Sequence, residues 1–201
     1  MAAKTRRLLG LLLLAGTVAT PSFAAEEHRE LGAHEHGRGT LNIAVEGNKV
    51  SMELEVPGVD IVGFEHAAKT RRDKATVEKA KTQLMAPLTL FKLPAAANCR
   101  VTEAKVEVEV GDHDHDAKEE AAGAKGGKGG EPAPKSVGHS EFHAQYALEC
   151  AAPGNMTAIE FGYFRAFAAA QKLDVNVITP KGQSKFEVTR SNPSLSLAGM
   201  I

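Results

Sequence analysis

The chain has 201 residues, a formal charge of −1 from 24 basic and 25 acidic side chains, and only 5% aromatics. So balanced a charge offers no field for gripping nucleic acid, and the length suits one domain with room for an insert. Scarce aromatics predict a core of Val, Leu, Ile and Ala. The eight His and two Cys are the residues whose placement carries chemical information.

Residues 1–24 read as a secretory signal peptide. Lys4, Arg6 and Arg7 form a basic start, an apolar run follows from Leu8, and Ser22-Phe23-Ala24 is a small-x-small cleavage site. The run is shorter than the roughly 20 apolar residues of a spanning helix, and no other segment approaches that length, so no membrane span is expected in the mature chain. Cleavage removes three positive and no negative charges, which takes the formal charge from −1 to −4. Residues 25–201 are then a single mature domain in an oxidising compartment, where Cys99 and Cys150 read as one disulfide.

Leu41, Ile43 and Val45 alternate with polar neighbours, as do Val50, Met52, Leu54 and Val56, with Gly47-Asn48 between them. This predicts a β-hairpin, broken at Pro57-Gly58. Thr70-Arg71-Arg72-Asp73 fits a capping box opening a helix to Met85. Val77, Ala80 and Leu84 form its apolar stripe, and Lys74 and Glu78 are spaced for an ion pair. Ala104, Val106, Val108 and Val110 alternate with Glu103, Lys105, Glu107 and Glu109. Phe142, Ala144, Tyr146 and Leu148 alternate with His139, Glu141, His143 and Gln145. These two runs should pair as an antiparallel ladder.

Residues directly opposite in a ladder share a face, so the even-numbered apolar positions must pair with an even sum. Cys99 opposite Cys150 gives an odd sum. The first strand therefore needs a one-residue bulge near Val101–Glu103, or Cys99 must reach in from outside the strand. The insert 111–138 is rich in Gly and charge and poor in aliphatic residues, which predicts a disordered loop. Beyond Cys150, a strand is expected at Ala158–Phe164 and a helical turn at Arg165–Gln171. A hairpin of Leu173–Thr179 and Ser184–Thr189 should turn on Pro180-Lys181-Gly182-Gln183, and a short edge strand is expected in the tail from Ser191. The elements add up to an α+β fold, mainly antiparallel β, with one principal helix at about 71–85 and a disordered His/Gly-containing loop.

The histidines fall into groups. His34-Glu35-His36 follows the cleavage point, with His28 upstream, and residues two apart in an extended chain project to one side. Asp112-His113-Asp114-His115-Asp116 repeats that spacing in the loop among three carboxylates, a metal-capture pattern. His139 and His143, with Glu141, share the outward face of a strand, with Glu107 and Glu109 across from it. Neutral imidazole suits zinc, copper and nickel, and two imidazoles with carboxylates can complete a zinc shell. His66 is a lone His, of interest if the fold brings it to His34 and His36.

Several stretches together resemble the periplasmic zinc-binding family of the ZrgA type (zinc-regulated protein A). They are His34-Glu35-His36-Gly37, Leu41-Asn42-Ile43-Ala44-Val45-Glu46-Gly47, Glu53-Leu54-Glu55-Val56-Pro57-Gly58 and Asp60-Ile61-Val62-Gly63-Phe64-Glu65-His66, followed by two Cys flanking a His-containing acidic loop. The resemblance implies a non-enzymatic protein that captures or buffers Zn²⁺ in the periplasm and assists its uptake beside components of an ABC-type importer. It makes His34, His36, His66, His113 and His115 the metal candidates. Two other classes stand beside it. One is a structural or partner-binding envelope protein with incidental His. The other is a metallo-hydrolase, since His113-Asp114-His115-Asp116 imitates a His-x-His-x-Asp zinc motif, but Ala117 stands where that motif has a further His.

Overall fold

The computed structural model describes residues 35–111 and 139–201. The expected signal peptide, His28, His34 and the Asp112–Asp116 cluster lie outside the described residues. Strands β1 (Arg38–Glu46) and β2 (Lys49–Pro57) form the expected hairpin, with Leu41 opposite Leu54 and Ile43 opposite Met52. A short helix α1 (Gly58–Val62) follows. Next come α2 (Arg71–Leu84), α3 (Pro87–Leu90), strand β3 (Phe91–Lys92), and the long ladder of β4 (Cys99–Val110) with β5 (Ser140–Cys150). The chain ends with β6 (Ala158–Phe161), α4 (Tyr163–Ala166), β7 (Lys172–Thr179), β8 (Gly182–Thr189) and β9 (Ser194–Ser196).

The strands make two sheets. The larger runs β4-β5-β2-β1-β7-β8 and the smaller β3-β6-β9. All pairs are antiparallel except β1 with β7, which run parallel and place Leu41 beside Val175. Each strand of the large sheet alternates. One face buries Leu41, Ile43, Val50, Leu54, Phe142, Leu148, Val175 and Val177, and the opposite face carries the polar set. The small sheet and α2 contribute Ile159, Phe161, Ala80 and Leu84 to the same apolar cluster.

The capping box forms as the sequence requires. Thr70 Oγ1 accepts from the Asp73 N–H at 3.1 Å, and Asp73 Oδ2 accepts from the Thr70 N–H at 3.1 Å. The ion pair recorded on α2 joins Glu78 to Lys81 (3.7 Å), where the spacing had pointed to Lys74. Of the two arrangements that parity allowed, the β4–β5 ladder shows the bulge. Cys99–Cys150 and Val101–Leu148 pair with one register, and from Glu103–Ala147 onward it shifts by one. Thr102 is the extra residue, and its hydroxyl donates to the Ala147 carbonyl (3.0 Å). The disulfide Cys99–Cys150 closes the end of the ladder.

Three expectations need correction. The core is not simply aliphatic: Phe91, Tyr163, Phe164 and Phe167 pack together, with ring centroids 6.1 Å apart for Phe91–Tyr163 and 5.3 Å for Tyr163–Phe167. The strand expected at 158–164 stops at Phe161, and the helical turn begins at Tyr163 rather than Arg165. The reason is that Phe161, Gly162, Tyr163 and Phe164 are all buried, and a helical turn inside the core buries consecutive side chains that a half-solvated strand would expose. The last hairpin turns on Pro180-Lys181 alone, since Thr179 pairs with Gly182. The Thr179 hydroxyl accepts from the Lys181 N–H (3.1 Å), which stabilises a two-residue connection.

Candidate functional site: a carboxylate between two imidazoles

The segment leading into β1 is tightly held. Gly37 has φ +83°, a conformation glycine adopts without steric cost. Its N–H donates to both oxygens of the buried Asp60 carboxylate, at 2.8 and 2.9 Å. Its carbonyl accepts from the N–H groups of Gln171 and Lys172, both at 2.9 Å. Next to it, Arg38 donates to Asp174 (2.7 Å) and to Glu35 (3.1 Å), and these carboxylates raise the guanidinium pKa, Asp174 most. His36 therefore sits on backbone anchored from α1 and β7, although its ring is 61% exposed.

Glu65 arrives from another part of the chain. Helix α1 ends at Gly63, and two residues later the Glu65 side chain turns inward and is 9% exposed. The approach of α1 to β5 depends on Gly58. A Cβ there would lie 2.0 Å from the Ser140 hydroxyl, so a larger residue would push α1 away from the start of β5. That start is also where His139 lies. The result is a three-residue cluster: His36 Nε2 is 3.1 Å from Glu65 Oε1, and His139 Nδ1 is 2.9 Å from Glu65 Oε2.

Ligand atoms about 2.0–2.1 Å from a tetrahedral zinc lie about 3.3 Å from each other, so both N···O separations are close to those of a metal shell. Each imidazole addresses its own oxygen rather than a common point, and among the described residues no three such side chains converge as a finished shell. The cluster is a two-nitrogen, one-carboxylate donor set, bridged by its carboxylate and open to solvent on the imidazole side. Residues 33–197 match the sequence model of the ZrgA family of zinc uptake proteins. The chain belongs to this family. No individually curated protein matches it. The ZrgA match runs through His36, Glu65 and His139, the three segments that the fold joins.

Zinc uptake is what describes the ZrgA family, and among the described residues no helix is long and apolar enough to cross a membrane. The remaining candidates occupy different surroundings. His66 stacks on Phe64 at 4.6 Å, with Nδ1 3.1 Å from the Ala67 carbonyl; it is Glu65, its neighbour, that reaches His36. Glu35 serves Arg38. His113, His115, Asp112, Asp114 and Asp116 lie outside the described residues.

His139 and His143, grouped together by strand alternation, have different partners. His139 precedes β5 and turns to Glu65. His143 lies within β5 among Glu141 (3.3 Å), Glu109 (3.6 Å) and Glu55 (3.8 Å). Its pKa is raised, chiefly by the hydrogen bond to Glu141 and then by the surrounding negative charge, against the opposing effect of burial. Sequence reasoning missed Glu65 as a site residue. Its one signal was position, directly beside His66 in a stretch already marked by family resemblance.

Proposed function

We propose that the protein captures Zn²⁺ in the periplasm, with His36, Glu65 and His139 as its ordered binding position, and passes the ion toward an importer of the ABC class. The observation that carries this reading is the inward-turned Glu65 carboxylate held between two half-exposed imidazoles. A carboxylate between two imidazole nitrogens is a set that zinc accepts with a fourth position left for water, another side chain or an acceptor protein. Exposure of both rings gives the ion a route in and out, which a cargo carrier needs and a closed structural zinc site does not.

His34 and Glu35, next to His36, would supply the remaining ligand. His113 and His115 with Asp112, Asp114 and Asp116 would add exchangeable capture sites, an assignment resting on their spacing. Zinc rather than copper follows from the family, since most nitrogen sites bind Cu²⁺ more tightly. Periplasmic residence follows from the first 24 residues.

Calorimetric titration of the mature chain with Zn²⁺ at neutral pH tests the reading. Binding at micromolar zinc is expected, with one tight component lost in the His36→Ala/His139→Ala double variant. Absence of binding, or a double variant that titrates like the parent, overturns it. Transfer of zinc from the loaded protein to the isolated substrate-binding component of the importer tests the partnership; zinc that stays put would refute it.

A further inference from the structure

Residues 167–171 join α4 to β7 and lie outside helix and strand, so their backbone carbonyls need partners from elsewhere. Arg190, directly after β8, supplies most of them. Its Nε donates to the Ala170 carbonyl (3.0 Å), and its Nη2 lies 2.6 Å from the Phe167 carbonyl, 2.9 Å from that of Ala168 and 2.8 Å from that of Ala170. Its backbone N–H donates to the Gln171 carbonyl (2.8 Å). The Gln171 side chain donates to the remaining carbonyl, that of Ala169 (3.0 Å). The guanidinium also stands 5.9 Å over the centroid of the buried Phe164 ring. Spreading donors over several carbonyls while lying on an aromatic face suits a planar guanidinium and not the point charge of an ammonium.

The segment that Arg190 clasps leads straight to the turn carrying His36. The N–H groups of Gln171 and Lys172 donate to the Gly37 carbonyl, both at 2.9 Å. The Gln171 side chain lies against the same residue, since a Cβ built on Gly37 would stand 3.2 Å from Gln171 Cγ. These contacts open the parallel β1–β7 pairing, whose first register pair is Arg38 with Lys172. Ladder ends open more easily than ladder centres, and this end is held from outside by Arg190. His36 depends on it. Its side chain is 61% exposed, so packing constrains the ring little, and the Gly37 backbone decides where Nε2 stands relative to Glu65. A constellation that takes a metal must be held to within about 0.5 Å.

We propose that Arg190 is a positioning residue for the ion-binding position at His36, acting through Gln171, Lys172 and Gly37. Its functional consequence rests on the zinc-capture reading. The clasp itself is a property of the folded chain and is measurable without metal.

Arg190→Lys keeps the charge and loses the fork of donors. Amide exchange on the full mature chain should show Gln171 and Lys172 losing protection about tenfold or more, while Val175 and Val177, further along β7, keep theirs. Zinc affinity, read against a competing zinc-binding dye, should fall about tenfold. Arg190→Ala should weaken zinc binding further and recover when methylguanidinium is added to replace the lost donors. Ile159→Val, a core change away from this loop, should retain the parental affinity, which separates positioning from a general loss of stability. Parental protection at Gln171 and Lys172 in Arg190→Lys would overturn the clasp. Loosened amides with parental zinc affinity, or a loss of affinity that Ile159→Val reproduces, would make Arg190 purely structural and overturn its positioning role. Zinc binding by the parent chain that survives His36→Ala would instead refute His36 as a ligand, and the positioning role with it, while the amides still judge the clasp.

Discussion

Two carboxylates govern the candidate site, each by a different means. Glu65 faces both imidazoles, so Glu65→Gln, which keeps the volume and removes the charge, is expected to weaken zinc binding by about tenfold or more. Competition against a chromogenic chelator measures this, and an unchanged circular dichroism spectrum separates it from misfolding. Asp60 acts one step further away. Its carboxylate satisfies the Gly37 N–H and thereby fixes the backbone beside His36. Asp60→Ala leaves that donor without its partner, which costs about 1–3 kcal/mol when the group is buried. A drop in midpoint by chemical denaturation and a looser zinc site are both expected; a stability equal to the parent would show that the anchor is dispensable.

Helix α2 and the β4–β5 ladder show what the sequence specifies locally. The capping box needs only neighbours, so it could be read directly, and it makes a pH prediction. Asp73 titrates below its ordinary value, first because the Thr70 side chain hydrogen-bonds it and then because the Thr70 N–H does. A carboxylate with a lowered folded pKa contributes stability above its unfolded value, about 3.9, and that contribution disappears as pH falls through the folded value. Amide protection in the first turn of α2, corrected for the intrinsic pH dependence of exchange, should therefore fall in acid, and Asp73→Asn should flatten this dependence. The ladder was legible for a different reason: side-chain alternation has a period of two, so a disulfide of odd register sum required either an extra residue or a Cys99 outside the strand, and Thr102 is that extra residue. Cys99 and Cys150 are 51 positions apart, and the loop-closure entropy of that span is worth about 4 kcal/mol. Cys99→Ser/Cys150→Ser should lower stability by this order in urea unfolding, with the same secondary structure by circular dichroism.

Across the whole molecule, what escaped the sequence was everything that depends on distant segments meeting. His36, Glu65 and His139 come from three regions with no shared periodicity, so spacing could nominate two of them and had no means of adding the third. His139 and His143 looked equivalent because alternation records which side of a strand a residue faces, not what lies beyond the strand's end. The parallel contact of β1 with β7 was invisible for the same reason: its partners, such as Asn42 and Asn176, bonded at 2.8 Å, stand 134 residues apart. The buried aromatics were missed because composition counts residues without locating them.

That parallel contact also sets an order of events. The β1–β2 hairpin can close as soon as both strands exist, but the backbone beside His36 stays open on one side until Gln171 and Lys172 dock on the Gly37 carbonyl. Long-range parallel pairing is slow relative to local hairpins. The turn that carries His36 should consequently mature late in folding, after most of the chain has collapsed. In a stopped-flow refolding experiment, capture of a zinc-sensitive dye's metal should lag behind formation of β-sheet signal. A chain that lacks its carboxyl-terminal half would thus leave the backbone beside His36 anchored by Asp60 alone, so late truncations should loosen a turn that lies at the other end of the sequence.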